Sequence, residues 1–191
     1  MNTIKLTCEY SYTDKKSEFI GLAFPVNTKE ECEDIIRKIR KKHSNARHVC
    51  YAYRLGESAV IERMSDDGEP SGTAGSPMMS ILRGRKLTNI LAVVVRYFGG
   101  ILLGTGGLTR AYSSATSVAL ENADVFEIIN FEIWKAEYAY PLHDRILFLL
   151  QKYSAEEVKS DFGEKVTLSA KIPVLGYANF VREINEILRI S

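Results

Sequence analysis

The 191-residue chain is 46% hydrophobic and 26% charged with a formal net charge of +1, the make-up of a soluble globular protein of one large or two small domains. So small a net charge excludes a whole-molecule field that would steer the chain onto nucleic acid, and any such binding must come from a local patch. Three cysteines, Cys8, Cys32 and Cys50, without C-x-x-C spacing argue against a disulfide framework or a zinc site and for a reducing cytosol, and with no basic-then-apolar leader and no apolar run longer than Ile90 to Val95 nothing is expected to be exported or membrane-inserted.

In chain order, Ser17 to Val26 reads as a strand. Thr28 and Glu31 form a capping-box pattern that opens a helix running to about His43, with Cys32, Ile35, Ile36, Ile39 and His43 on one face. Ala46 to Leu55 and Ser58 to Arg63 alternate as strands about a Gly56 turn. An acidic loop with Asp66, Asp67 and Glu69 follows. Ser76 and Pro77 then suit the N-cap and first turn of a short helix through about Gly84. Asn89 to Phe98 is apolar on both faces, as a central, doubly covered strand requires. From Gly106 a long helix carries Leu108, Ala111, Tyr112, Ala115 and Ala119 on one stripe.

A domain boundary is expected between Asp124 and Asn130, giving domains over 1–126 and 127–191. Beyond it the order is strand, helix, strand, strand, helix, which suits a small ferredoxin-like layer, with Asp161 to Glu164 supplying hairpin turn residues. Basic side chains number 17 against 14 acidic ones in residues 1–125, and 8 against 10 in the remainder. The first half is therefore the more basic.

Nine of the 13 glycines fall between Ser65 and Ala115. Arg96 ends the buried strand, Gly99 and Gly100 turn the chain, and Gly104, Gly106 and Gly107 lead into the helix that carries Arg110. Free amides at a helix start, the helix dipole and two arginines favour an anion such as phosphate; Arg47, His48 and Lys16 complete this candidate set. The spacing matches neither a Walker A loop nor a Rossmann turn, and the alternative is that the glycines only permit tight strand-to-helix packing. Asp66, Asp67 and Glu69 read either as weak candidates for Mg²⁺ or a general base, or as a turn with Asp67-Gly68 at its corner. His43 and His143 read as surface or helix-end residues, and no Ser-His-Asp or Cys-His set assembles. Arg37, Lys38, Arg40, Lys41 and Lys42 read as a solvated helix face or, alternatively, as a contribution to phosphate contacts.

The stretches SDDGEPSGTAGSPM from Ser65 and AVVVRYFGGILLGTGGLTRAY from Ala92, with ARHVCYAY from Ala46 and KKSEFI from Lys15, resemble the YigZ/IMPACT family over most of residues 15 to 125. The resemblance implies an α+β chain of two domains. The first would be a ribosomal-protein-like βαβ sandwich of sheet and helices, a type shared with small-metabolite kinases. The second would be ferredoxin-like, similar to the last domain of elongation factor G. It further implies a translation-related cytoplasmic protein, although the extra N-terminal partner-binding domain of eukaryotic members has no counterpart here. The family supplies no agreed catalytic residue, so catalysis is not expected and no cofactor is firmly implied.

Three functions stay open at this stage. The first is a translation-related regulator binding RNA, the ribosome or a translation factor through the arginine-flanked glycine loop. The second is a phosphate- or nucleotide-binding enzyme using Mg²⁺ at the acidic loop. The third is a protein interaction module.

Overall fold

A computed structural model describes residues 1–56, 59–121 and 123–189. Ser58, the expected start of one strand, and the last two residues of the expected second domain lie outside the described residues. The chain divides into two compact units, Met1–Ile128 and Ile129–Ser191. No helix among the described residues is long and apolar enough to cross a membrane.

The first unit is built on a five-stranded sheet ordered β2-β3-β6-β4-β5: β2 (Cys8–Asp14), β3 (Ser17–Pro25), β4 (His48–Leu55), β5 (Ile61–Ser65) and β6 (Ile90–Tyr97). Every neighbouring pair is antiparallel. Because β3 and β4 each run against β6, they are parallel to one another, and α1 (Lys29–Lys42) joins them in the expected βαβ connection. Thr28 and Glu31 form the capping box on α1, a device that contributes about 1 kcal/mol.

Strand β6 is buried on both faces. Its Ala92 and Val94 meet one core, together with α2 (Gly75–Gly84) and α3 (Gly104–Glu121). Its Leu91, Val93 and Val95 meet the other, under α1. The expected stripe of α3, from Leu108 to Ala119, is buried throughout. Its closest seat is Gly21 of β3, where an added Cβ would fall 2.3 Å from the Ala115 carbonyl oxygen. A short ladder of β1 (Asn2–Ile4) and β7 (Val125–Glu127) ties the start of the chain to the end of the unit.

Two sequence expectations are corrected. Helix α3 starts at Gly104 rather than Gly106. Helix α2 has Ala74, not Ser76, at its N-cap, and no capping bond from its own side chain. The sheet is antiparallel throughout, so the rule that places ligands at the carboxyl ends of parallel strands does not apply; whatever gathers at Arg96 must be argued from its neighbours.

The second unit follows a β-α-β-β-α order: β8 (Phe131–Tyr138), α4 (His143–Lys152), β9 (Glu156–Phe162), β10 (Val166–Pro173) and α5 (Val174–Leu188). The sheet order β8-β10-β9, antiparallel at both pairings, is that of the ferredoxin-like layer. Trp134, Leu168 and Ile172 of the sheet close over Ile146 of α4 and Phe180 of α5.

Candidate functional site

The site grows from one row of residues across the sheet. Arg96 of β6 stands opposite Phe19 of β3 and His48 of β4, a spacing at which cross-strand side chains touch. Arg96 is only 4% exposed, and a buried guanidinium requires a carboxylate and hydrogen-bond acceptors. Glu69 of the acidic loop supplies the carboxylate: its Oε1 accepts from Arg96 Nη1 at 2.7 Å and from the Tyr112 hydroxyl at 2.8 Å. Arg96 Nη2 reaches the Ser17 hydroxyl at 3.3 Å. The ring of Phe19 lies 5.3 Å and that of Phe98 5.5 Å from the guanidinium carbon, both within cation-π range. Arg96 Nε is buried and, among the described residues, has no hydrogen-bond partner.

Behind this pair lies a closed polar network. The single proton of the Cys50 thiol has two acceptors within reach, the Asp66 carbonyl at 3.0 Å and the Tyr112 hydroxyl at 3.4 Å. Burial first, then the neighbouring Cys50 and Glu69, push the Tyr112 hydroxyl far above its usual range, so it stays a proton donor to Glu69. Burial also pushes the Cys50 thiol up to about 12, which removes it as a nucleophile. His48 Nδ1 lies 2.8 Å from the Asp67 carbonyl; that oxygen can only accept, which puts the proton on Nδ1 and turns Nε2 toward Glu69, 3.8 Å away.

The three acids do not converge. Asp66 accepts backbone N–H bonds from Gly72, Ala74 and Gly75 at 2.8 to 2.9 Å, thereby supplying the cap that α2 lacks in its own sequence. Asp67 accepts from the Val49 amide and from Arg40, and Glu69 is committed to Arg96. No group of three or more His, Cys, Asp or Glu side chains among the described residues is placed to hold a metal ion. With their oxygens committed to separate donors, these acids do not fit Mg²⁺, whose usual ligands are carboxylates converging on one point.

Burial acts to raise the pKa of Asp66, but its three backbone bonds outweigh it and leave the carboxyl below its usual value. A depressed folded-state pKa contributes stability above the unfolded value, and that stability is lost as pH falls through the folded one. Asp66→Ala is therefore expected to cost about 2 kcal/mol near neutrality. In urea unfolding at stepped pH, the gap from the parent chain should narrow below about pH 4; a gap independent of pH would refute the capping role.

The glycine loop resolves into distinct jobs. An added Cβ at Gly99 would fall 2.0 Å from the Lys16 carbonyl, and the Gly99 amide donates to Ser17 Oγ at 3.3 Å. Gly99 is therefore a close-approach residue that seats the β2–β3 turn, where Lys16 is exposed. Gly104 opens α3, with Gly106 and Gly107 in its first turn. Arg110 lies exposed along α3 and does not line the cleft that collects the other candidates. That cleft, about 320 Å³, is lined on its polar side by Arg47, His48, Glu69, Arg96, Gly104 and Thr105. Phe98, Leu102, Leu103, Leu108 and Pro70 form its apolar wall. The exposed Arg47 guanidinium stands 5.4 Å from the Phe98 ring, so Phe98 is held by both arginines.

Sequence reasoning singled out Arg47, His48, Arg96 and Gly104 for this place. It gave Tyr112 a packing role only, placed Arg40 on a solvated face, and assigned nothing to Ser17 or Phe98. One signal was available: an arginine in a strand covered on both faces demands a carboxylate nearby, and Glu69 is the one acid of its loop flanked by glycine and proline rather than by a second acid.

A family model described as the Impact N-terminal domain matches residues 15–120, and one described as a domain of unknown function, DUF1949, matches residues 137–189. The chain is 48% identical over 125 residues to the IMPACT family member YvyE of Bacillus subtilis, the match covering 65% of this chain and 58% of that protein. It is 35% identical over 179 residues to the IMPACT family member YigZ of Escherichia coli, covering 93% and 88% respectively. A crystal structure described as that of a hypothetical protein superimposes with a TM-score of 0.66 at 32% identity, covering 98% of this chain and 92% of that one.

Proposed function

The chain belongs to the IMPACT family, and from that premise we propose that it is a translation-linked regulator that binds structured RNA, free or ribosomal, through the cleft at the start of α3. One observation carries the reading: a single cleft holds the exposed Arg47 guanidinium and the first residues of an 18-residue helix. A helix N-terminus favours an anion, and an arginine beside it can add charge-assisted hydrogen bonds. Glu69 neutralises Arg96, so Arg47 supplies the net positive charge and Lys16 and Arg110 extend it over the surface. The enzyme reading loses its Mg²⁺, since all three acids are spent on the fold.

The test is titration of labelled structured RNA at low and near-physiological salt with the parent chain and with Arg47→Ala, an exposed position whose loss leaves the core intact. Binding that weakens with salt, about tenfold lower affinity in the variant and a salt slope shallower by about one are expected. Absence of binding at either salt, or an unaltered variant, would sink the reading and bring the protein interaction module forward.

A further inference from the structure

We infer that this cleft accepts one nucleoside monophosphate unit, with its phosphate at the α3 N-terminus and its base against Phe98 and Leu102. The inference rests on the phosphate-binding reading above and narrows it from a backbone surface to a single-nucleotide site. Size is the first argument. About 320 Å³ is at the lower end of small-ligand pockets, room for one nucleotide and not for a duplex. Duplex RNA offers its phosphates on a broad surface, whereas an unpaired or terminal nucleotide can be splayed into a pocket.

The second argument is the make-up of the lining. Arg47, Gly104 and Thr105 supply donors suited to phosphate oxygens. Beside them, Phe98 is 37% and Leu102 83% exposed, apolar surface that has been left to water. Base stacking on an aromatic ring is the recurrent way such surface is used in single-strand recognition. The third argument is preorganisation. Both guanidinium groups already lie within 5.5 Å of the Phe98 ring centre, so the ring is fixed before a base arrives and little ordering remains to be done on binding.

A free nucleotide and an RNA end carry the same chemical unit, and the experiment separates them. The full chain is titrated with inorganic phosphate, adenosine, AMP and UMP, followed by amide chemical shifts, and each is then used to displace a labelled single-stranded RNA. Expected are shifts centred on Thr105 and Phe98, AMP at least tenfold tighter than phosphate or adenosine, and displacement of the RNA by AMP. Phe98→Ala should bring AMP down to the level of phosphate while phosphate itself is unchanged. Leu102→Ser, at a position too exposed to affect folding, should weaken AMP in the same direction. RNA that binds but is not displaced by AMP, with both variants unaltered, overturns the nucleotide site and leaves the RNA reading standing. AMP that binds while no RNA does keeps the site, assigns it to a free nucleotide and defeats the RNA reading. Failure of both ligands defeats both.

Discussion

Glu69→Gln is expected to lower the stability of the first unit by about 3–5 kcal/mol, the cost of leaving a buried arginine without its counter-charge. The amide keeps the shape of the side chain and can still accept from Tyr112, so the loss reports charge rather than a cavity. Arg96 is 4% exposed, with the rings of Phe19 and Phe98 5.3 and 5.5 Å from its guanidinium carbon. The companion experiment replaces both partners together with the hydroxyl that donates to Glu69, Arg96→Met with Glu69→Leu and Tyr112→Phe, and should recover most of the loss, because an ion pair exchanged for apolar groups of similar size is close to neutral. The single tryptophan, Trp134, reports the core of the second unit, so unfolding in urea is followed by far-ultraviolet circular dichroism. A cost below about 1 kcal/mol for Glu69→Gln would mean that the pair is solvated and that Arg96 is free for other partners.

Gly21→Ala is expected to cost about 3 kcal/mol, near the upper end for inserting one methyl group into a packed core. The new Cβ would lie 2.3 Å from the Ala115 oxygen and 2.9 Å from its carbonyl carbon, and both atoms belong to helix backbone that cannot rotate away. Either α3 lifts from the sheet or β3 bows. Because α3 also delivers Tyr112 to Glu69 and Gly104 to the cleft, displacement should be felt at the site: the RNA affinity of whatever fraction remains folded should fall as well. An alanine variant with parental stability would show that α3 slides on the sheet without cost. Substitution at Gly84, where an added Cβ meets nothing within 4 Å, is the control.

Much of this architecture was legible in local sequence. The Thr28 and Glu31 pair marked the start of α1 because a capping box is made entirely within four residues. The run from Ile90 to Val95 marked the central strand because only burial on both faces tolerates uninterrupted apolar side chains. The stripe from Leu108 to Ala119 gave the buried side of α3. The cap of α2 was hidden because the side chain that makes it, Asp66, lies nine residues before the Gly75 amide it accepts. Strand β2 was missed because it is an edge strand with mostly exposed side chains, and β1 because its three residues pair with a segment far along the chain. The candidate site shows the same division. Residue types were readable, so Arg96 and the three acids stood out. Their assignment was not, because Glu69 meets Arg96, Asp67 meets Arg40 and Asp66 meets α2 only through the tertiary fold.

The β1–β7 ladder also bears on how the first unit comes to be folded during synthesis. Asn2 pairs with Glu127 and Ile4 with Val125, so the first strand made waits for the last one of its unit. Closing so long a loop is entropically expensive and contributes to slow folding. The sheet and its helices can assemble as soon as α3 has left the ribosome, while β1 stays without its ladder partner until β7 emerges. The final latch on the first unit therefore closes only after translation has passed well into the second.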